Sequence, residues 1–338
     1  MTEPRVTIVV VPRERFSVSR RSLDSLYEHT SVPFKLVYVD GRSPRYVRRD
    51  IAARARERGF RVIRTSRYVS PNEARNIGLR ETDTPYVVFI DNDAVVSPGW
   101  LEAMVRCAEE TDAWVVAPVY GIGEPAEGII HLAGGFVEFR EDDGRRHFRE
   151  THRFSGKRLA DIRPRLRREA IDFGEFHCML VRRSAFELVG ELDERLLTAR
   201  EHLDFCLAVR QAGGRVYLEP EALVTYIAPP PFAWSDLPYF LLRWSDDWNR
   251  DTLEYVRKKW GLADDDPHAV TEREWLRHHR WIALARPARA IRRVLGWRLG
   301  SWVLQRSLIP AEGLVTRWLV RRAARERAAG QPLRVSGT

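Results

Sequence analysis

Cysteine is scarce: Cys107, Cys178 and Cys206 are the only three in 338 residues, far apart and without a Cys-x-x-Cys spacing. That argues against a disulfide frame and against a zinc site, and it fits a reducing cytoplasm. Long apolar runs are missing too. The N-terminal run from Val6 to Val11 stops at Pro12, too short for a signal-peptide core. No segment approaches the roughly 18 uninterrupted apolar residues of a membrane span. Lysine is absent from residues 271–338, yet that segment holds 15 arginines against Glu272, Glu274, Glu312 and Glu326, more than enough to account for the net charge of +9. The body of the chain is therefore nearly neutral. The same segment carries Trp275, Trp281, Trp297, Trp302 and Trp318, five of the 11 tryptophans.

What is present reads as an α/β protein. Apolar runs at Val6–Val11, Phe34–Asp40, Arg61–Arg64, Tyr86–Asp91 and residues 114–119 alternate with helix-length polar stretches, the pattern of β-α-β units and a mostly parallel sheet. Ser70 before Pro71 and Ser97 before Pro98 read as helix starts, and Leu23, Leu26, Tyr27 and Thr30 have the spacing of one buried helical face. From about 121 to 175 the sequence turns Gly-rich and charged. It predicts one strand at 135–140 and a basic run between Arg145 and Arg168 that is either solvated surface or a lid. Strands are expected again at 179–182, 215–218 and 222–226, with helices from Ser184 to Gly190 and over 201–212. The domain plan is 1–226, divided into a nucleotide-binding half (1–120) and a second half (121–226), then an aromatic-rich helical extension (227–270) and a basic helical tail (271–338).

One run concentrates chemistry. Residues 86–93, YVVFIDND, form an apolar strand that ends in Asp91, Asn92 and Asp93. Ligands collect at the carboxyl ends of strands in an open α/β sheet, and two aspartates two residues apart can share a hard divalent cation that neutralises a diphosphate. Taken alone, the same residues also make a capped turn.

Four segments in order resemble glycosyltransferase family 2 with the GT-A fold. They are the strand Leu36-Val-Tyr-Val-Asp40, the helix start Ala74-Arg75-Asn76-Ile77-Gly78, the segment 86–100, and a block from Cys178-Met-Leu-Val-Arg-Arg183 to Glu201-His202-Leu-Asp204. The resemblance implies a Rossmann-like, mostly parallel central sheet flanked by helices. It implies transfer of a sugar from a nucleotide-diphosphate donor, a UDP-sugar by family habit, to an acceptor hydroxyl on a cell-surface glycan or lipid-linked saccharide, by metal-assisted inverting displacement. By position, Pro12, Asp40, Arg75, Asn76 and Asp91 would hold the nucleotide, Asp91 and Asp93 would hold Mg²⁺ or Mn²⁺, and Glu201, His202 and Asp204 would form the catalytic block.

The chain also departs from the family. His202 stands where the family has its catalytic Asp, so the base is His202, whose unperturbed pKa near 6.5 suits the task, or Glu201. Val224-Thr225-Tyr226 lacks the family's terminal metal-binding His, which leaves the ion to Asp93 and the diphosphate. Glu201, His202 and Asp204 also read as an acidic first helical turn, His177 as a packed core histidine, and Glu175 as a residue able to face the acceptor. Two rivals follow. One is a catalytically degenerate GT-A domain that binds nucleotide sugar or glycan without transfer. The other, a sugar-nucleotide pyrophosphorylase, lacks its Gly-rich loop at Val11-Pro12-Arg13.

In the tail, a single helix projected over 289–306 gathers Ile291, Val294, Leu295, Leu299 and Trp302 on one side and Arg289, Arg292 and Arg293 on the other. A basic helix of this kind suits an anionic membrane surface and a cytoplasmic enzyme peripheral to the inner face of the plasma membrane. Packing on the catalytic domain is the alternative; nucleic acid is not expected as a partner.

Overall fold

The computed structural model describes residues 3–264 and 267–329. Strands β1 (Val6–Val11), β2 (Phe34–Asp40), β3 (Arg61–Arg64) and β4 (Tyr86–Asp91) are joined by helices α1 (Ser19–His29), α2 (Arg45–Arg58) and α3 (Pro71–Leu79). Then come β5 (Ala94–Val96), α4 (Trp100–Thr111), β6 (Val115–Ile122), β7 (Ile130–Leu132), β8 (Gly135–Asp142) and β9 (Arg145–His152). The next elements are α5 (Leu159–Ile162), β10 (Glu169–Ile171), β11 (Cys178–Arg182), α6 (Ala185–Val189), α7 (Glu201–Gln211) and β12 (Val216–Tyr226). Helices α8 (Leu237–Arg243), α9 (Asp246–Trp260), α10 (Pro267–Trp281), α11 (Ala285–Val303) and α12 (Ile309–Ala328) follow.

The main sheet runs β10-β12-β6-β11-β4-β1-β2-β3, with β5 on β12 and β7 on β6. Strands β1 to β4 are mutually parallel where they pair, and β11 enters antiparallel between β4 and β6. Every residue of β1 and β4 is buried, which is why both read as unbroken apolar runs and not as alternating ones. Helix α3 packs close because of Gly78: a Cβ there would lie 2.2 Å from Val9 Cγ1.

The chain winds from β1 to β2 and β3 on one side, then crosses to β4 on the other, so the switch-point crevice lies beyond the ends of β1 and β4. Val11 pairs with Asp91, so Pro12-Arg13-Glu14 and Asp91-Asn92-Asp93 leave the sheet side by side. The pairing of Cys178 with Ile90 brings His177 to the same end, its carbonyl accepting from the Asp91 N–H at 3.2 Å. The carbonyl of Asp93 accepts from the Ile227 N–H at 2.9 Å, which anchors the end of β12 there as well.

Elsewhere the structure departs from the sequence expectation. Within residues 121–175 the strand expected at 135–140 is β8, but β7 and β9 were not expected; the β8–β9 turn places Asp143 at φ 49° and Gly144 at φ 71°, the left-handed geometry of a tight hairpin turn. The two strands expected at 215–218 and 222–226 are one, β12, with a register shift between Glu219 and Leu223. Helix α4 opens at Trp100 behind Gly99 (φ 76°) and not at Pro98, because the αL glycine redirects the chain. Helix α10 runs through the boundary expected at 271. The single helix projected over 289–306 is broken at Gly296 (φ 73°, ψ 172°). There the chain folds back so tightly that a Cβ on Gly300 would lie 2.9 Å from Arg292 Cα. Helix α12 then packs on the body: Glu312, Thr316 and Leu319 are buried, Arg280 pairs with Glu312 at 3.1 Å, and Arg42 pairs with Glu326 at 3.0 Å. Among the described residues no helix is long and apolar enough to cross a membrane.

Candidate active site

A cavity of about 740 Å³ opens at this end of the sheet, walled by the β1 loop, the ends of β7, β9 and β12, the start of α7, and α10. Arg13, His131, His152, Glu175, His177 and His202 are among its lining residues.

Asp91 and Asp93 lie behind that wall, fully buried, and their surroundings differ. Asp91 is enclosed by two guanidinium groups and an imidazole, with Oδ1 3.2 Å from Arg75 Nη2 and Oδ2 3.4 Å from Arg13 Nη1 and 3.2 Å from His177 Nδ1. Burial alone would raise its pKa, but His177 and the two guanidinium groups hold it below the usual aspartate value. Asp93 has no such company. Both its carboxylate oxygens are buried without a hydrogen-bond partner, and burial, Asp91 and Glu14 push its pKa well above the usual value. Asn92 is structural: its amide donates to Arg15 O and Ser19 Oγ, both at 2.9 Å, and its oxygen accepts from Arg13 N at 3.1 Å.

The orphaned carboxylate of Asp93 fits a cation: a buried ionisable group without a partner stays neutral unless a counter-charge arrives. The expected terminal histidine is replaced by Tyr226, whose ring stacks on His177 at 4.3 Å and whose hydroxyl donates to Glu14.

Of the other residues singled out in the sequence, Glu201 and His202 line the cavity. Glu201 is held by Arg243 at 3.1 Å and lies 3.8 Å from Arg75, so Arg75 links the Asp91 segment to the α7 block. Burial opposes the ionised form of Glu201, but Arg243 and Arg75 keep its pKa low. His202 Nε2 is buried and unbonded, and burial lowers the ring's pKa below its usual value.

The remaining expected residues are engaged elsewhere. Asp40 accepts from Ser43 N at 2.7 Å and pairs with Arg64. The Asn76 amide spans Leu192, donating to its carbonyl at 2.8 Å and accepting from its N–H at 3.0 Å, and also donates to Glu194. Asp204 pairs with Lys259 at 2.7 Å and accepts from Trp260 Nε1 at 3.1 Å, tying α7 to α9. Pro12 O accepts from Tyr239 OH at 3.2 Å.

Sequence reasoning named Glu175 and His177 but missed His131 and His152, which meet them at the cavity. His177, read as a core histidine, is buried yet lines the cavity, and burial and Arg13 lower its pKa to about 4. Glu175 is pinned by Tyr120, whose hydroxyl accepts from the Glu175 N–H and donates to the Glu175 carbonyl, both at 2.8 Å. His131 and His152 lie on β7 and β9, in the stretch expected to be loop. Asp143-Gly144 was the available signal, since that dipeptide favours the two-residue turn of a hairpin, although the strand that follows has no hydrophobic period.

The sequence matches the profile of glycosyl transferase family 2 over residues 7–190. It is 28% identical over 221 residues to the pre-mycofactocin glycosyltransferase of Mycobacterium tuberculosis, covering 65% of this chain and 42% of that protein. It is 26% identical over 325 residues to the succinoglycan biosynthesis protein ExoW of Rhizobium meliloti, covering 93% of each. The structure resembles GalNAc-T7, solved with UDP, GalNAc and Mn²⁺, at a TM-score of 0.52 and 16% identity, over 82% of this chain and 55% of that one. The chain spans 28% and 42% of the length of the first two curated relatives it matches.

Proposed function

The chain belongs to glycosyltransferase family 2, and from that premise we propose that it moves a sugar from a UDP-sugar to an acceptor hydroxyl on a cell-surface glycan or lipid-linked saccharide by inverting displacement. The observation that carries this reading is Asp93, a buried carboxylate with two unpartnered oxygens beyond β4. Asp93, with Asp91 beside it, would hold Mn²⁺ or Mg²⁺. A divalent ion there supplies charge neutralisation for the departing nucleoside diphosphate. Arg13, whose side chain is 16% exposed and faces the cavity, adds a guanidinium suited to phosphate oxygens. His202 acts as base: its unbonded Nε2 takes the acceptor proton, and burial keeps the ring neutral for that task. Glu201, bound to Arg243 and close to Arg75, is a positioning residue. The name of the matched glycosyltransferase supports glycosyl transfer, that of the succinoglycan biosynthesis protein supports a glycan acceptor, and the UDP and Mn²⁺ bound by GalNAc-T7 support the donor class.

The hairpin at Gly296 exposes Trp297 (70%) and Trp302 (57%) among Arg292, Arg293 and Arg298. An anionic membrane surface at the cytoplasmic face, where a lipid-linked acceptor would lie, suits that combination.

A second reading, a GT-A domain that binds without transferring, is favoured by the pairing of Asp40, an expected nucleotide contact, with Arg64 and by Tyr226 in place of histidine. Thermal-shift measurements with a panel of nucleotide sugars, with and without Mn²⁺, followed by donor hydrolysis and transfer assays, decide between the two. Stabilisation with turnover supports the transferase and stabilisation without turnover supports the binder. No response to any nucleotide sugar removes both.

A further inference from the structure

The densest group of metal-ligating side chains is not at Asp91 and Asp93. Glu175 stands among three imidazoles: His131 Nε2 lies 3.0 Å from Oε2, His177 Nε2 lies 3.2 Å from Oε2, and His152 Nδ1 lies 3.9 Å from Oε1. Glu175 is 7% exposed and its Oε2 has no hydrogen-bond partner of acceptable geometry. One ligand atom each from His131, His152 and Glu175 falls within 4.8 Å of the others. A tetrahedral ion with bonds of about 2.0–2.1 Å draws its ligand atoms to roughly 3.3 Å apart, so side-chain adjustments on the order of an ångström close the set.

The groups behind these side chains have the pattern a metal site needs. A ligating histidine is oriented by a carboxylate on its other ring nitrogen. His152 turns Nε2 onto Glu150, which is itself held by Arg200. His177 reaches Asp91 through Nδ1 and Glu175 through Nε2, both at 3.2 Å, and so holds the Glu175 carboxylate in place from the side of the Asp91 segment. All of these residues line the cavity except Asp91.

We propose that His131, His152 and Glu175 form a second divalent-cation site, of zinc type by its imidazole content, on the wall of the cavity that these residues line. The ion ties β7 and the end of β9 to the loop before β11, fixing that wall. This inference does not depend on the transfer reaction.

The test uses the full chain, stripped with chelator and titrated with Co²⁺, whose visible absorption reports a tetrahedral nitrogen and oxygen site. Wild type is expected to take up one Co²⁺ with a visible band, displaced by Zn²⁺, and to melt higher with either ion. His131→Ala and His152→Ala, at side chains 26% and 29% exposed, are expected to lose the band and to weaken Co²⁺ binding at least 10-fold, while Asp93→Asn keeps both. Circular dichroism checks that each variant is folded, and one folded histidine variant is enough to decide. The proposal is overturned if wild type gives no stoichiometric band, if a folded histidine variant keeps it, or if Asp93→Asn alone abolishes it. The last result places the ion at the aspartate pair and leaves the transferase reading standing.

Discussion

Replacing Asp93 by Asn should make the protein more stable and inactive. Both Asp93 oxygens are buried without partners, and the neighbouring carboxylates Asp91 and Glu14 add to the cost of its charge. At neutral pH the folded side chain keeps its proton while the unfolded one gives it up, and each pH unit above 3.8, up to the raised folded value, costs the wild type about 1.4 kcal/mol. Asn has no proton to hold, and in a large domain each kcal/mol moves Tm by roughly 2–4 °C. The sign depends on pH. Below the ordinary aspartate value of 3.8 the side chain is neutral whether folded or unfolded, so wild type and variant should melt alike. As pH rises toward the elevated folded value, the unfolded chain ionises first and the wild type loses ground. The variant's advantage therefore opens between acid and neutral pH. In differential scanning fluorimetry across that range, the variant should also lose the Mn²⁺-dependent shift with UDP, and transfer should fall by about 10²–10³-fold or more. A variant that melts lower than wild type at neutral pH, or keeps its Mn²⁺ response, would falsify the account of Asp93.

Three other outcomes are expected. His202→Ala should lower kcat by about 10²–10⁴-fold, and because burial depresses the ring's pKa, the wild-type kcat/KM should fall only as pH drops through a value below 6.5; a larger loss in Glu201→Gln assigns the base to Glu201. Asn76→Ala should lower stability by about 2–3 kcal/mol, since its amide bonds the backbone at Leu192 through both ends, while donor affinity stays within about twofold, a small ΔΔG on the usual scale; weaker donor binding at unchanged Tm reverses that assignment. Trp297→Ala with Trp302→Ala should reduce sedimentation with anionic vesicles but not with neutral ones, and full binding by the double variant removes the membrane reading.

Much of the sheet was legible because its signal is local. The runs of β1, β2, β3 and β4 ended where the strands end; β1 and β4, buried throughout, are continuously apolar until Pro12 and Asp91 interrupt the pattern. Strand β9 was not legible: of its eight residues, RRHFRETH, only Phe148 is buried, so no hydrophobic period marks it. The tail was legible in composition only. Fifteen arginines and five tryptophans announce a special surface, but the turn at Gly296 and the seating of Glu312 against Arg280 separate an exposed hairpin from a packed helix.

The sequence by itself determined the family, the α/β frame and the position of Asp91 and Asp93 at a strand end, because each is written in residues adjacent along the chain. Only the tertiary structure decided which carboxylate is free. Asp91 and Asp93 look equivalent in sequence, yet Arg13, Arg75 and His177, from three different elements, converge on Asp91 and leave the Asp93 oxygens without a hydrogen bond. The same holds for His131, His152 and Glu175, which lie on separate strands and loops and meet only because β7, β9 and β11 end at one edge of the cavity. Electrostatic environment depends on distances through space, and those are set by sheet order and register.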